Sequence, residues 1–301
     1  MNWFNNNQKE WKEIIETVSS ELKISSLMVE KDIIQSMILY ELSKCDFPFV
    51  FKGGTSLSKA YKLINRFSED LDISSSRKLS QAERKKSKTM ILNIGKELGL
   101  NIINEEEIMS NHLYNKYVFE YPSLFNDFPL EIIVETSFFI DSYPCNIIPI
   151  HNYVSDYCVE HSITLPISFK ASKFTMTVQS LERTFIDKIF AICDYKIQDM
   201  QDRDSRHLYD LAKLIDVITF NNDLKDLFNK VRKDRLILKN NPSSQTQYDI
   251  HSLLEDIYNT HFYKNDYNSL TIKLLYEDYP YDEAIKNGLF KIINSGLFEK
   301  I

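Results

Sequence analysis

The sequence predicts a protein of the α+β class, in which a mixed β-sheet flanked by helices precedes a helical C-terminal part. Two patterns in the 301 residues support this prediction. Short apolar or alternating runs, typical of strands, lie between positions 48 and 136 among helical segments. From about Gln179 onward, the apolar spacing is helical almost to the end. We therefore expect two domains, at 1–175 and 176–301.

The composition excludes several classes of protein. With 43% hydrophobic and 26% charged residues, the chain is typical of a globular protein. A formal net charge of −7 argues against a basic protein that coats nucleic acid. No apolar run approaches the roughly 18 residues of a membrane span, and no leader-like start is present. The four cysteines lack metal-binding spacing, so we expect free thiols and a cytoplasmic protein without membrane contact.

The chain begins with two predicted helices. Apolar residues recur at helical spacing from Trp11 to Leu22 and again from Ser26 to Lys44. The apolar run Pro48–Phe51 then predicts a buried strand that stops at a glycine pair. Thr55 is expected to cap the helix that follows.

Alternating residues indicate the next strand. Leu71 and Ile73 alternate with two aspartates, so the segment Arg66–Ile73 is predicted to be extended. The remaining elements of this half are a polar, basic helix and two further strands, expected over 77–98, 115–121 and 130–136.

The second half is predicted to be loop-rich at first and helical afterwards. Three prolines interrupt the pattern before Gln179, at Pro144, Pro149 and Pro166. Further along, the turn-forming run Asn240–Ser244 predicts a loop between two helices.

Asp70 and Asp72 are the first candidate functional residues. They are two apart on a predicted strand, so both side chains point to the same face. Neighbouring carboxylates repel each other unless a cation lies between them, and Mg²⁺ is commonly held by one or two carboxylates together with substrate phosphates. The pair predicts a divalent-metal site, although aspartates at this spacing can also simply face water.

Gly53 and Gly54 separate a predicted strand from a predicted helix. Glycine allows the backbone to approach a ligand closely, and the unpaired N–H groups at a helix start suit a phosphate. Thr55 and Ser56 add hydroxyl donors. A glycine turn followed by an aspartate pair is what chemistry on a nucleoside triphosphate requires, whereas the Walker A and dinucleotide-binding motifs are absent.

A third acidic residue would complete such a site, and the strand at 130–136 offers two. Glu131 and Glu135 are four residues apart and share one face. A glutamate on an otherwise apolar strand needs a partner, but one near a strand end can also face solvent. From the residues alone, either glutamate is a candidate.

These residues resemble the motifs of the AbiEii/AbiGii toxin family of nucleotidyltransferases, within the polymerase-β-like superfamily. That superfamily combines a glycine turn, an Asp-x-Asp strand and a third acidic residue on a later strand, here Glu135. The segments that resemble the narrower family follow one another in chain order, at Glu30–Asp32, Phe51–Tyr61, Arg66–Ile73, Leu181–Lys188 and Ser205–Asp210. The tail beyond residue 220 resembles no motif.

The resemblance implies transfer of a nucleotide from an NTP to an acceptor hydroxyl, with Mg²⁺ or Mn²⁺. It implies metal binding and catalysis by Asp70, Asp72 and Glu135, assisted by Lys188 and Asp210. Phosphate binding is implied for Gly53, Gly54, Thr55, Ser56, Arg66 and Lys188. Family members are described as toxins of toxin–antitoxin or abortive-infection systems. Because some relatives extend the 3′ end of tRNA, RNA is the expected acceptor and an antitoxin protein an expected partner.

The helical half leaves two interpretations of its polar residues. Lys188 is either a phosphate ligand or an ordinary helix lysine. Asp210 either orients Lys188 or assists the acceptor, or it pairs with Arg206 on its own helix, where Arg203 and His207 are expected to share that face. We expect His207 to be structural.

Charged segments also leave alternatives open. The basic residues of 77–88 and 230–239 would either track an RNA backbone or form solvated helix faces. Glu30–Asp32, the segment that resembles the family's N-terminal motif, could instead be an ordinary cluster of charges near a helix start. For the whole chain, the alternative functions are nucleotide transfer to a protein hydroxyl and a non-catalytic module that binds a nucleotide or a partner.

Overall fold

The computed structural model describes residues 7–165 and 169–298, which form two compact units. The first comprises the chain up to Lys62 together with Ser68–Gln179, and the second comprises Leu63–Phe67 together with the chain from Ser180. The domain boundary predicted at residue 175 does not anticipate that residues 63–67 belong to the second unit.

The first unit opens with the two expected helices. Helix α1 spans Gln8–Leu22 and α2 spans Ser26–Ser43, where the Ser25 hydroxyl caps the first turn by accepting from the Leu27 N–H. Most of α2 is buried, including the apolar positions that predicted it.

A seven-stranded mixed sheet forms the centre of the first unit. Its order is β3-β4-β5-β2-β1-β7-β6. Strand β1 pairs antiparallel with β2 and parallel with β7, whereas β2 pairs parallel with β5. The strands are β1 (Phe49–Lys52), β2 (Asp70–Ser75), β3 (Asn101–Ile102), β4 (Tyr114–Tyr121), β5 (Leu130–Ser137), β6 (Cys145–Ile150) and β7 (Phe174–Gln179). The mixed sheet with flanking helices confirms the predicted fold class.

The second strand begins later than the sequence predicted. Strand β2 starts at Asp70, so the prediction of extended structure from Arg66 is wrong for its first residues. The Phe67 N–H donates to the carbonyl of Leu274 within the second unit. The carbonyls of Ser68 and Glu69 accept from the Gln35 side chain. These backbone groups are therefore bound outside the sheet.

The prediction of a loop-rich stretch before Gln179 is also wrong. This region holds β6, helix α5 (Tyr153–Glu160) and β7. Strand β6 lies at the edge of the sheet, where Pro149 is tolerated because an edge strand needs only one set of ladder hydrogen bonds. Pro166, the third of the interrupting prolines, lies outside the described residues.

Two further helices of the first unit lie between β1 and β3 along the chain. Helix α3 (Gly53–Lys59) begins before the cap expected at Thr55. Helix α4 (Gln81–Leu98) starts where Ser80 and Glu83 form a capping box, so the residues from 77 to 80 precede it, and it ends at Gly99 with φ +70°.

The second unit is helical, as predicted. It contains α6 (Leu181–Ile197), α7 (Arg206–Leu214), α8 (Asn222–Arg235) and α9 (Ile250–Thr260). Two later helical stretches have π-helical centres at Tyr267–Thr271 and Ile285–Phe290. The loop predicted at Asn240–Ser244 lies between α8 and α9 and includes one 3₁₀ turn. Within the described residues, no helix is long and apolar enough to cross a membrane.

Candidate active site

The aspartate pair lies on β2, in the middle of the sheet. Asp70 and Asp72 are half-buried on one face, whereas Leu71 and Ile73 point into the core. In the pairing register, Asp72 is opposite Glu135 of β5 on one side and Lys52 of β1 on the other. Because paired residues of neighbouring strands point to the same face, the two carboxylates are neighbours.

Gly53 lies directly against this pair. Its φ is +76°, a left-handed conformation that favours glycine. A Cβ atom at this position would be 1.9 Å from Oδ2 of Asp72, far inside any normal contact. The backbone at the start of α3 therefore approaches the Asp72 carboxylate as closely as the chain permits, and only glycine allows this.

The hydroxyls after the glycine pair are engaged within the chain. Thr55 is buried, and its Oγ1 lies 2.6 Å from the Asp70 carbonyl oxygen and 2.8 Å from Oγ of Ser68. Ser56 is buried as well and donates to the Gly53 carbonyl at 2.8 Å. In this arrangement, both hydroxyls fix the glycine turn and the start of β2. Phosphate binding by these hydroxyls stays a prediction.

Of the two glutamates, Glu135 lies beside the aspartates. Glu131 shares its face but is exposed and pairs in register with Glu120 of β4. Glu135 is half-buried opposite Asp72. The strand register therefore distinguishes the two glutamates. Glu135 lies opposite Asp72, whereas Glu131, four residues away, does not.

Tyr114 is a member of this cluster that the sequence analysis did not single out. It is a diagonal neighbour of Glu135 on the same face of the β4–β5 pair. Partial burial raises the pKa of Tyr114 well above its usual range, and the negative charges of Glu135, Asp72 and Asp70 raise it further. The signal was present in the alternation of β4, but it could be interpreted only once the register of β4 against β5 was known.

The carboxylates are chemically suited to a divalent cation, but they do not form a complete set of metal ligands by themselves. Within 7–165 and 169–298, no group of three or more His, Cys, Asp or Glu side chains could hold a metal ion. A pair of carboxylates is nevertheless enough for Mg²⁺ when substrate phosphates supply further oxygen ligands. Asp70 and Asp72 meet that requirement, and the lack of a side chain at Gly53 leaves room for the Asp72 carboxylate.

In the second unit, Asp210 of α7 is the centre of a buried charge cluster. Arg66 binds it with both ends of its guanidinium, Nε to Oδ1 at 2.7 Å and Nη2 to Oδ2 at 2.8 Å. Lys188 of α6 donates to Oδ2 at 2.6 Å. All three side chains are almost completely buried. Lys188 is therefore not an ordinary solvent-facing lysine, and Asp210 does orient it.

Burial and charge determine the protonation of this cluster. Burial opposes ionisation of Asp210, but Arg66 and Lys188 outweigh it and hold the pKa of Asp210 well below its usual range. Burial lowers the pKa of Lys188, against the opposing attraction of Asp210. Burial, followed by the charge of Lys188, lowers the pKa of His207 to about 4. His207 is thus neutral at pH 7, as a structural histidine would be.

The other residues predicted to share a face with Asp210 are used differently. Helix α7 begins at Arg206, so the prediction that Arg203 lies on this helix is wrong. Arg206 pairs with Asp204 at 2.9 Å, not with Asp210 as one interpretation held. The reason is that Asp204 precedes the helix and lies nearer to the guanidinium.

The acidic residues of the N-terminal motif are buried structural anchors. Glu30 accepts from the Ser123 hydroxyl and the Leu124 N–H, both at 2.6 Å. Asp32 pairs with Lys59 and accepts from the Tyr153 N–H at 2.9 Å. They are not a solvated cluster near a helix start, because both lie within α2 and are buried.

Several arginines and lysines of the two basic segments also bind within the chain. Arg232 donates to three backbone carbonyls, and Arg235 pairs with Asp194 at 2.6 Å. In the other segment, Arg77 pairs with Glu83 and Lys88 donates to the Ile108 carbonyl at 2.6 Å. These side chains stabilise the local structure, which leaves fewer charges for an RNA backbone.

A glycine turn packed against an aspartate pair, on a mixed sheet with a third carboxylate in register, is typical of nucleotidyltransferases, and this chain is one. It belongs to the family described as nucleotidyl transferase AbiEii toxin, Type IV TA system, whose profile matches residues 38–287. No curated protein matches the chain significantly.

Two solved structures from Helicobacter pylori match most of the length of this chain, with TM-scores below 0.5. One is JHP933, with 18% identity, a TM-score of 0.47, and coverage of 91% of this chain and 94% of its own. The other is provisionally described as a nucleotidyltransferase, with 18% identity, a TM-score of 0.49, and coverage of 91% and 97%. The family assignment rests on the sequence profile and not on these two structures.

Proposed function

We propose that this nucleotidyltransferase uses Mg²⁺ or Mn²⁺ to transfer NMP from an NTP to an RNA hydroxyl, and that the acceptor is the 3′ end of tRNA. In this proposal it acts in the cytoplasm as the toxin of a toxin–antitoxin pair, with an antitoxin as partner. Membership of the AbiEii family supports the toxin role.

The observation that carries the proposal is the contact between the Gly53 backbone and Asp72, with Asp70 on the same face. A triphosphate that binds along the Gly53–Gly54 backbone would bring its phosphates next to both carboxylates. A divalent cation held by Asp70 and Asp72 would neutralise phosphate charge and orient the attacking oxygen. Thr55 and Ser56 would keep the turn in shape through their internal hydrogen bonds.

Glu135 is assigned the role of base. The acceptor hydroxyl forms a bond to the α-phosphorus, the bond from that phosphorus to the pyrophosphate breaks, and the hydroxyl proton passes to the Glu135 carboxylate. Its position opposite Asp72 supports this role. As the third carboxylate, opposite Asp72, Glu135 would also contact the cation.

Arg66 and Lys188 keep the phosphate-neutralising role that the resemblance implies. Both are bound to Asp210, so the proposal requires Asp210 to hold them in fixed orientations while each retains N–H groups for a phosphate. Arg66 also donates to the Phe67 carbonyl, and Nζ of Lys188 lies 3.4 Å from Nδ1 of His207. Because a guanidinium has five N–H donors and an ammonium three, each side chain still has at least one N–H for a phosphate.

Labelling with α-³²P-NTPs tests the proposal. Purified protein would be incubated with each NTP, with Mg²⁺ or Mn²⁺, and with or without total RNA. The variants are Asp72→Asn and Glu135→Gln, with Glu131→Gln as the matched control, because Glu131 lies on the same strand and face but away from Asp72. We expect label on RNA with the wild type and Glu131→Gln, and its loss in the other two.

Two other results would each support one of the alternative functions. Label on protein alone would mean that the acceptor is a protein hydroxyl. NTP binding without transfer in any sample, equal in wild type and Asp72→Asn, would favour a non-catalytic binding module.

A further inference from the structure

Exposed aromatic and apolar side chains gather at one end of the β4–β5 pair. Tyr114 is 42% exposed, Leu113 36% and Phe139 44%. Tyr114 pairs in register with Ser137, and the Leu113 carbonyl accepts from the Phe138 N–H at 2.7 Å. The three side chains therefore belong to the strand ends next to Glu135, where large apolar groups would normally be covered.

The ring of Tyr114 lies beside Glu135. The two residues are diagonal neighbours on one face of the β4–β5 pair, and a substantial part of the Tyr114 side chain remains accessible to solvent. An aromatic ring that projects from a strand and is partly open to solvent can stack against another flat group.

A lysine lies in the same row of the sheet. Lys116 is exposed, follows Tyr114 by two residues on the same face of β4, and pairs in register with Glu135. The carboxylates of Glu135, Asp72 and Asp70 would repel a phosphodiester backbone. Lys116 is positioned to offset that repulsion on the β4 side.

We propose that Tyr114 binds the acceptor, with its ring stacked on a base near the RNA 3′ end, its hydroxyl orienting Glu135 towards the attacking oxygen, and Lys116 contacting the adjacent phosphate. Stacking platforms combined with cations are how proteins bind single-stranded nucleic acid. A partly exposed ring beside a lysine matches a base and its phosphate, two groups that a peptide acceptor lacks. This inference rests on the proposed function.

Substitutions at position 114 separate the two roles of the side chain. Tyr114→Phe keeps the ring and removes the hydroxyl, and Tyr114→Ala removes both. Phe128→Ala and Lys173→Gln are the controls, because Phe128 is 75% exposed and Lys173 is exposed, and neither belongs to this surface. Circular dichroism and Tm of each variant would show that it folds. The probe is a fluorescein-labelled single-stranded RNA of about 12 nucleotides with a free 3′ hydroxyl, used for anisotropy and as acceptor in the labelling assay.

The variants are expected to differ in kcat and in RNA affinity. Tyr114→Phe should bind the RNA within about twofold of wild type but lower kcat about tenfold or more, because Glu135 loses its orienting bond. Tyr114→Ala should also weaken RNA binding by about 5- to 100-fold. Lys116→Gln should weaken binding and reduce its salt dependence. NTP affinity should not change in any of them.

Contrary results are distinguishable from failure of the proposed function. If the wild type labels RNA and Tyr114→Ala has the wild-type KM for RNA, the proposed function stands and this inference is wrong. Equal kcat in Tyr114→Phe and wild type would overturn the orienting role. If the wild type labels protein and never RNA, the proposed acceptor is wrong and this inference fails with it.

Discussion

At the scale of single residues, two glycines with nearly the same positive φ allow a folding effect to be separated from a catalytic one. Gly53 has φ +76° and Gly99, at the end of α4, has φ +70°. Only Gly53 lies against a carboxylate of the candidate site. The same substitution at both positions therefore carries similar backbone strain but different consequences for Asp72.

We predict that Gly99→Ala lowers the free energy of unfolding by about 1–2 kcal/mol, the cost of a left-handed alanine. Gly53→Ala should lower it by at least as much, because its methyl group also collides with Asp72. Gly53→Ala should in addition lower nucleotide transfer by about 100-fold or more, because the new methyl group must displace the Asp72 carboxylate. Urea unfolding and α-³²P labelling measure the two effects. Transfer by Gly53→Ala equal to that of Gly99→Ala would show that the Asp72 position does not matter.

His207 makes the second residue-scale prediction, which concerns pH. Its pKa is lowered to about 4 in the folded chain, from the ordinary value of 6.5. Between these values, the unfolded chain binds a proton that the folded chain does not, so stability is complete above about pH 6.5 and falls as the pH falls towards 4. The total loss should be about 3 kcal/mol.

The measurement compares the wild type with His207→Asn, which keeps a polar atom near Lys188 but does not titrate. Unfolding by urea at pH 7.5 and pH 5, followed by circular dichroism, should show a smaller loss of stability on acidification in the variant. Buried carboxyls such as Glu30 and Asp32 titrate in both proteins, so they cancel in the comparison. Equal pH dependence in the two proteins would mean that His207 binds its proton normally.

At the scale of elements, the basic helix α8 combines arginines that serve the fold with lysines that face solvent. Arg232 donates to the carbonyls of Ser244, Gln245 and Tyr248, at 3.1, 3.1 and 2.6 Å. Lys233, the next residue, is exposed. Two neighbouring basic residues of one helix therefore have different roles. Arg232 stabilises the local structure, whereas Lys233 faces solvent.

We predict that Arg232→Gln lowers the free energy of unfolding by about 2 kcal/mol, since charged hydrogen bonds to buried carbonyls are lost. Lys233→Gln should leave stability unchanged, and neither variant should alter RNA affinity. Thermal unfolding and RNA anisotropy at two salt concentrations test this. A weaker salt dependence in Lys233→Gln would instead show that the segment 230–239 contacts RNA.

Elements also show how far the sequence could predict this structure. Local patterns were sufficient for α1, α2 and the helices of the second unit, because helical spacing is set within a few residues. They failed for β6 and β7, where Pro149 is tolerated only because β6 is an edge strand. The aspartates and Gly53 could be identified from spacing, and the family resemblance indicated Glu135. Without that resemblance, the choice of Glu135 over Glu131 required the register of β5 against β2, and Tyr114 required the register of β4 against β5.

At the scale of the whole molecule, the helical unit is not continuous in sequence. It includes Leu63–Phe67, which lie between α3 and β2 along the chain. Asn65 accepts from the Tyr276 N–H at 3.0 Å, Arg66 binds Asp210, and Phe67 donates to the Leu274 carbonyl at 2.8 Å. This short segment thus forms a small antiparallel pairing with residues around Leu275 inside the helical unit.

A chain cut at Ser180 should for this reason be poorly folded. Without Arg66, the buried Asp210 keeps only part of its charge compensation, and the loss of one partner of such a cluster costs about 3–5 kcal/mol. We predict that residues 180–301 alone lack cooperative unfolding. The same fragment preceded by residues 63–67 and a flexible linker of about 15 residues should regain it. Arg66→Met in the linked fragment should remove most of that gain, whereas Asp216→Asn, at an exposed ion pair of the same unit, should not. Thermal unfolding by circular dichroism distinguishes these cases, and a fragment 180–301 that unfolds as cooperatively as the linked one would show that the helical unit does not need the upstream segment.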